Sequence, residues 1–147
     1  VYLASTRTRQ VVGVDADPRR IPKSKFKNLT FIKADIRIFN LTEANGAALS
    51  DVLHHLDIKD QEILLKNIAK TLKKGGVLVI KEIDKDEFFR SKLSRLWDFV
   101  LYPKEKISFS SAKYFKKTLT SFGFKVKISR PCRLFPGSTT LFVCTKN

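Results

Sequence analysis

The sequence predicts a single α/β domain over residues 1–147, with a mostly parallel sheet, helices on both faces and an antiparallel strand pair at its end. Three observations carry this. Short, nearly continuous apolar runs alternate with amphipathic stretches of helical period, as in a parallel sheet covered on both sides. Near the end the pattern changes to strict alternation, followed after one loop by another strand-like run. The chain is 147 residues long, enough for one hydrophobic core.

Residues 10–15, Gln-Val-Val-Gly-Val-Asp, read as a buried strand that ends in an acid. Residues 28–34, Asn-Leu-Thr-Phe-Ile-Lys-Ala, read as a second strand, ended by Asp35. Residues 46–50, Gly-Ala-Ala-Leu-Ser, form a weaker third. A helix over 59–73 places Leu64, Ile68 and Leu72 on one stripe, with Leu65 and Ala69 beside it. Asp60 and Glu62 near its start and Lys70, Lys73 and Lys74 near its end suit the helix dipole, and Gly75 is a natural stop. The clearest strand is 77–83, Val-Leu-Val-Ile-Lys-Glu-Ile. A helix over 86–101 gathers Phe89, Leu93, Leu96, Trp97 and Val100 on one face; another over 111–122 gathers Phe115, Leu119 and Phe122 and stops at Gly123. Phe124, Val126 and Ile128 then alternate with Lys125, Lys127 and Ser129, and after a loop over 131–138 the last strand runs from Thr139 to Thr145.

Composition narrows the class. Apolar residues make up 43% and charged residues 29%, a globular mix. No apolar run approaches the roughly 20 residues of a membrane-spanning helix, and no signal peptide is visible. Cys132 and Cys144 have neither the pairing nor the spacing of a metal site, so no metal is expected. The expectation is a soluble, cytoplasmic protein. The net charge of +15 is uneven. Residues 1–30 carry seven basic and two acidic side chains, residues 31–103 twelve and eleven, and residues 104–147 ten and one. Basic ends can mark an anionic partner or simply a lysine-rich surface. There is no methionine, even at position 1, where about three would be ordinary in a chain of this length. The expectation is that residues preceding Val1 are missing.

Chemistry concentrates at strand ends. In open α/β sheets, ligands bind outside the carboxyl ends of the strands, where an acid can accept from a ribose diol or an adenine amino group. Asp15 and Asp35 stand at such positions on successive strands, although either could merely cap the following turn. After the third strand comes Ser50-Asp51-Val52-Leu53-His54-His55-Leu56-Asp57.

Taken in order, Val-Val-Gly-Val-Asp-Ala-Asp-Pro, Leu-Thr-Phe-Ile-Lys-Ala-Asp, Leu-Ser-Asp-Val-Leu-His-His-Leu and Leu-Lys-Lys-Gly-Gly-Val-Leu-Val-Ile resemble the class I S-adenosylmethionine-dependent methyltransferases. The likeness is to the small-molecule branch that includes quinone-biosynthesis enzymes, over about residues 3–145. It implies a Rossmann-like three-layer sandwich with a seven-stranded-type sheet. It also implies S-adenosyl-L-methionine as cofactor, S-adenosyl-L-homocysteine as product, and enzymatic methyl transfer. By that resemblance Asp15 binds the ribose hydroxyls and Ala16 lies against the adenine. Asp35 accepts from the adenine amino group, with the Ile36 amide facing the ring. Leu49 and Ser50 border the methionine part of the cofactor. His55 lines the pocket and is the candidate catalytic base, since histidine titrates near neutral pH; His54 is expected to point elsewhere. Gly75 and Gly76 form the structural turn before the fifth family strand.

The family's first strand and glycine-rich turn have no counterpart after Val1; Val1-Tyr2-Leu3-Ala4 resembles the last turn of the helix that follows them. The expected missing segment is therefore about 30 residues, the size of a strand–turn–helix unit, with an acid and at least two glycines. Ile21-Pro22 leaves little room for the usual helix between the first two strands, and Glu43-Ala44-Asn45-Gly46 is an abrupt entry to the third. Residues 86–110, with Phe88, Phe89, Trp97, Phe99 and Tyr102, lie where this fold places substrate-covering elements. The expected acceptor is a small molecule. The alternatives are an RNA methyltransferase or a non-catalytic nucleic-acid-binding module that uses the basic ends. Against them, no RNA-recognition aromatic motif, zinc finger or helix-turn-helix signature is present. Ser50-Asp51-Val52-Leu53 also stands where base-amine methyltransferases carry Asn/Asp-Pro-Pro-Tyr/Phe.

Overall fold

In the computed structural model, which describes residues 8–21, 23, 25–84, 108–130 and 139–147, the chain divides into two units, Val1–Asn40 and Leu41–Asn147.

The first unit is built on β1 (Val11–Asp15) and β2 (Leu29–Lys33), paired in parallel from Val11 opposite Leu29 to Asp15 opposite Lys33. The only helical turn between them among the described residues is a 3-10 turn, Pro18–Arg20. Asp17 caps it by accepting from the Arg19 amide, and proline suits its first position, where no amide partner is needed.

The second unit runs β3 (Ala44–Ser50), a 3-10 turn (Leu53–His55), α1 (Ile58–Thr71), β4 (Leu72–Ile83), α2 (Ala112–Ser121), β5 (Phe124–Ser129) and β6 (Thr139–Lys146). Its sheet has the order β3-β4-β6-β5. β3 and β4 are parallel; β6 is antiparallel to both β4 and β5 and lies between them. Each long helix starts on a capping side chain: Asp57 accepts from the Asp60 amide, and Ser111 from the Tyr114 amide. The core joins the buried stripe of α1 (Leu64, Leu65, Ile68) and Phe115 and Leu119 of α2 to Leu78, Ile80, Phe124 and Phe142 of the sheet.

Along β4 from Gly76 onward the even-numbered residues are buried and the odd-numbered ones are less covered, as the two-residue period of a strand requires. Leu78, Ile80, Glu82 and then Asp84 are therefore buried in one row, while Val79, Lys81 and Ile83 are half-buried.

Several expectations shift. The helix predicted over 59–73 ends at Thr71, because Leu72 is already extended and pairs with Ala44. Lys73 and Lys74 thus fall beyond the helix, and Lys70 is the basic residue of its last turn. β4 begins five residues before the predicted 77, and β3 begins at Ala44. Gly75 has a φ of +75°, which glycine adopts without strain, and the close approach of the Lys73 and Asn45 carbonyls leaves no room for a side chain at Gly76. The described strands form two sheets, and two of their four pairings are parallel and two antiparallel, rather than one mostly parallel sheet. The expected helix over 86–101 and the aromatic residues on it lie outside the described residues.

Candidate functional site

Asp15 is the last residue of β1 and is half-buried. Its Oδ1 accepts the Asp17 amide at 2.8 Å, which fixes the turn; Oδ2 has no partner among the described residues. Ala16 next to it is exposed. Asp35 follows β2 by two residues, at the same end of the parallel pair. It caps its own turn through the Arg37 amide at 3.0 Å, and both its oxygens are engaged by the Arg37 guanidinium. That hydrogen bonding holds the Asp35 carboxyl below the usual carboxylate range. Ile36, in the same turn, is half-buried.

In the second unit Leu49 is buried and Ser50 ends β3 exposed. Asp51 follows in the left-handed region at φ 54°, which Asp tolerates better than most side chains. Its amide donates to the Lys81 carbonyl at 3.0 Å. Its Oδ2 accepts from Ser50 Oγ at 2.9 Å and from Lys81 Nζ at 2.6 Å. His55 closes the 3-10 turn and is half-buried.

Two residues gain a place here that the sequence reading missed. His54 is the buried histidine of the pair, at 3% exposure, and its Nδ1 lies 2.7 Å from Glu82 Oε2. Glu82, at 2% exposure, accepts the Val52 amide at 3.0 Å and the Leu53 amide at 2.7 Å through Oε1. A buried carboxylate is costly unless charge or hydrogen bonds compensate it, and Glu82 has three such partners. Beneath them Gln61 donates through Nε2 to the Leu53 and Leu56 carbonyls at 2.9 and 3.1 Å. The signal for Glu82 was available: it shares the even-numbered phase of Leu78 and Ile80 and so belongs on the buried face of β4.

The structure thus gathers Asp15, Ala16, Asp35 and Ile36 at one end of the first unit's strand pair. It gathers Leu49, Ser50 and His55 at the carboxyl end of β3 in the second. Among the described residues no group of three or more His, Cys, Asp or Glu could hold a metal ion, and no helix is long and apolar enough to cross a membrane.

Against known families, residues 2–127 match the methyltransferase domain. The chain belongs to this methyltransferase domain family. Membership bears out the class I resemblance, and the solved methyltransferases share its Rossmann-like α/β fold. A SAM-dependent methyltransferase from Archaeoglobus fulgidus is 18% identical, with a TM-score of 0.73 over 99% of this chain and 80% of that one. The N-methyltransferase NodS from Bradyrhizobium japonicum, solved with S-adenosyl-L-homocysteine, is 18% identical, with a TM-score of 0.69 over 92% of this chain and 65% of that one. Carboxy-S-adenosyl-L-methionine synthase from Aliivibrio salmonicida is 28% identical over 81 residues, half of this chain. The methyltransferase chain spans about a third, 34%, of that curated relative.

Proposed function

We propose that this methyltransferase-family chain binds S-adenosyl-L-methionine and transfers its methyl group to a small-molecule acceptor, leaving S-adenosyl-L-homocysteine. The observation that carries the reading is the family match over residues 2–127 together with carboxylates at the ends of adjacent parallel strands.

The residues fit the cofactor in one place better than the other. Asp15 Oδ1 is held by a backbone amide while Oδ2 stays available, which suits a diol offering hydrogen bonds to a charged acceptor. Asp35 already accepts from Arg37, so an adenine amino group there shares its acceptor with a guanidinium. Ala16 and Ile36 flank these acids as small and apolar surface for the adenine. Leu49 and Ser50 border the methionine part. The cofactor supplies an activated sulfonium methyl for in-line displacement; the protein supplies orientation and a site sheltered from water. In this reading His55 accepts a proton from the acceptor where that acceptor needs deprotonation.

Isothermal titration of the protein with S-adenosyl-L-homocysteine tests the reading, followed by a methyl-acceptor screen with radiolabelled cofactor. Saturable binding and label transfer to a small molecule are expected. Absence of binding overturns the cofactor assignment. Loss of label transfer in His55→Ala with cofactor affinity kept is the result expected of a base; unchanged transfer removes His55 from that role.

A further inference from the structure

Lys81 and Glu82 are consecutive residues of β4, and their side chains leave the strand on opposite faces. Each grips the segment that leaves β3. On one face Lys81 Nζ holds the Asp51 carboxylate at 2.6 Å, while the Lys81 carbonyl takes the Asp51 amide. On the other face Glu82 takes the Val52 and Leu53 amides on one oxygen and meets His54 Nδ1 with the other. Between them sits the left-handed Asp51. Asp tolerates that region better than most side chains, and here the two grips hold it there; such sites cluster where a ligand is held.

We propose that Lys81 and Glu82 are positioning residues for the cofactor. Gripping the turn from both faces, they fix the direction in which β3 ends and so the Leu49–Ser50 edge. The proposal rests on the S-adenosyl-L-methionine reading given above. Neither residue touches a reacting atom in it. Their effect is on the fraction of molecules whose β3 exit is set for binding, and apparent affinity scales with that fraction.

The Glu82 contact also dictates a proton position. A carboxylate can only accept hydrogen bonds, so His54 must present Nδ1–H to it. In Glu82→Gln the amide oxygen can still take the two backbone amides, but the amide nitrogen then faces His54. Nδ1 must become the acceptor, and the imidazole proton moves to Nε2.

The test is Glu82→Gln and Asp51→Gly in the full chain. Asp51→Gly permits the left-handed backbone and removes the carboxylate that Lys81 Nζ and Ser50 Oγ both hold. Nitrogen-15 NMR of the imidazoles in ligand-free protein should show the His54 proton on Nδ1 in the wild type and on Nε2 in Glu82→Gln. Titration with S-adenosyl-L-homocysteine should show about a tenfold loss of affinity in Glu82→Gln and about threefold in Asp51→Gly, with both variants folded by circular dichroism. Affinity within experimental error of wild type in both variants overturns the proposal, as does a His54 Nδ1 without a proton in the wild type. Should Glu82→Gln fail to fold, unchanged affinity in Asp51→Gly overturns it alone. A wild type that binds no S-adenosyl-L-homocysteine overturns the cofactor reading itself, and is seen before any variant is made.

Discussion

Asp15 keeps one carboxylate oxygen without a partner among the described residues, whereas Arg37 engages both oxygens of Asp35. The two acids should therefore respond differently to removal. Hydrogen bonds to a charged group contribute about 1.5–3 kcal/mol each, so Asp15→Ala should weaken S-adenosyl-L-homocysteine at least about tenfold by calorimetry without unfolding the protein. Asp35→Ala should cost less, and equal losses in the two would contradict this ranking. Asp17 offers a separate check on local electrostatics. The Arg19 guanidinium and amide both bond it and lower its pKa to about 2 from an ordinary 3.8. A depressed carboxylate adds stability above its unfolded pKa and loses it as pH falls through the folded one, here from about 4 to about 2. Carboxyl NMR titration should find the Asp17 midpoint near 2, and Arg19→Ala should return it toward 3.8; a wild-type midpoint near 3.8 would refute the pairing.

At the scale of elements, the irregular first part of β4 and the inside of the sheet make the sharpest demands. A Cβ at Gly76 would lie 2.8 Å from the Lys73 carbonyl oxygen, a backbone atom that cannot swing aside. Gly76→Ala should therefore lower the thermal midpoint by several degrees, the shift expected for about 1–3 kcal/mol of overpacking. A midpoint equal to wild type would mean that this part of β4 relaxes freely. Cys144 is buried in β6, and burial pushes its thiol up to about 12. In a Cys132→Ser background it should resist alkylation at pH 8 until the protein is denatured; rapid labelling of native protein would show that the sheet opens. The strands were legible because β1 to β4 hold compact apolar runs, β5 alternates and β6 is a further strand-like run, and the helix stripes of α1 and α2 were legible from their period. What escaped depends on partners distant in sequence. The start of β4 at Leu72 is set by Ala44, and the two 3-10 turns are too short for any periodicity. Asp15 and Asp35 could be placed at strand ends from local pattern alone, and Arg37 stands only two residues from Asp35, but the contact of Glu82 with His54 could not, since a hydrogen bond across 28 residues leaves no local trace.

For the whole molecule, the charge of +15 raises the question of an anionic acceptor. Lys113, Lys116 and Lys117 are exposed on the outer face of α2, and Lys125 and Lys127 are exposed on β5. These are ordinary solvent positions. The expected result is weak RNA binding that differs little between RNAs and falls steeply with salt. A protein with several phosphate contacts loses about 10³-fold or more in affinity between 50 and 200 mM salt. Tight, selective binding that survives 200 mM salt would instead make RNA the acceptor. The placement of β6 between β4 and β5 has a different kind of consequence. A ribosome delivers β4 and β5 first, and each must wait with an open hydrogen-bonding edge for a strand made after both. Until Thr139–Lys146 emerges, the nascent chain leaves open the edges of β4 and β5 that β6 will cover, the feature through which strands of different molecules join. Slow synthesis or a premature stop in this stretch would thus be felt as aggregation during production, long before any loss of catalysis could be measured.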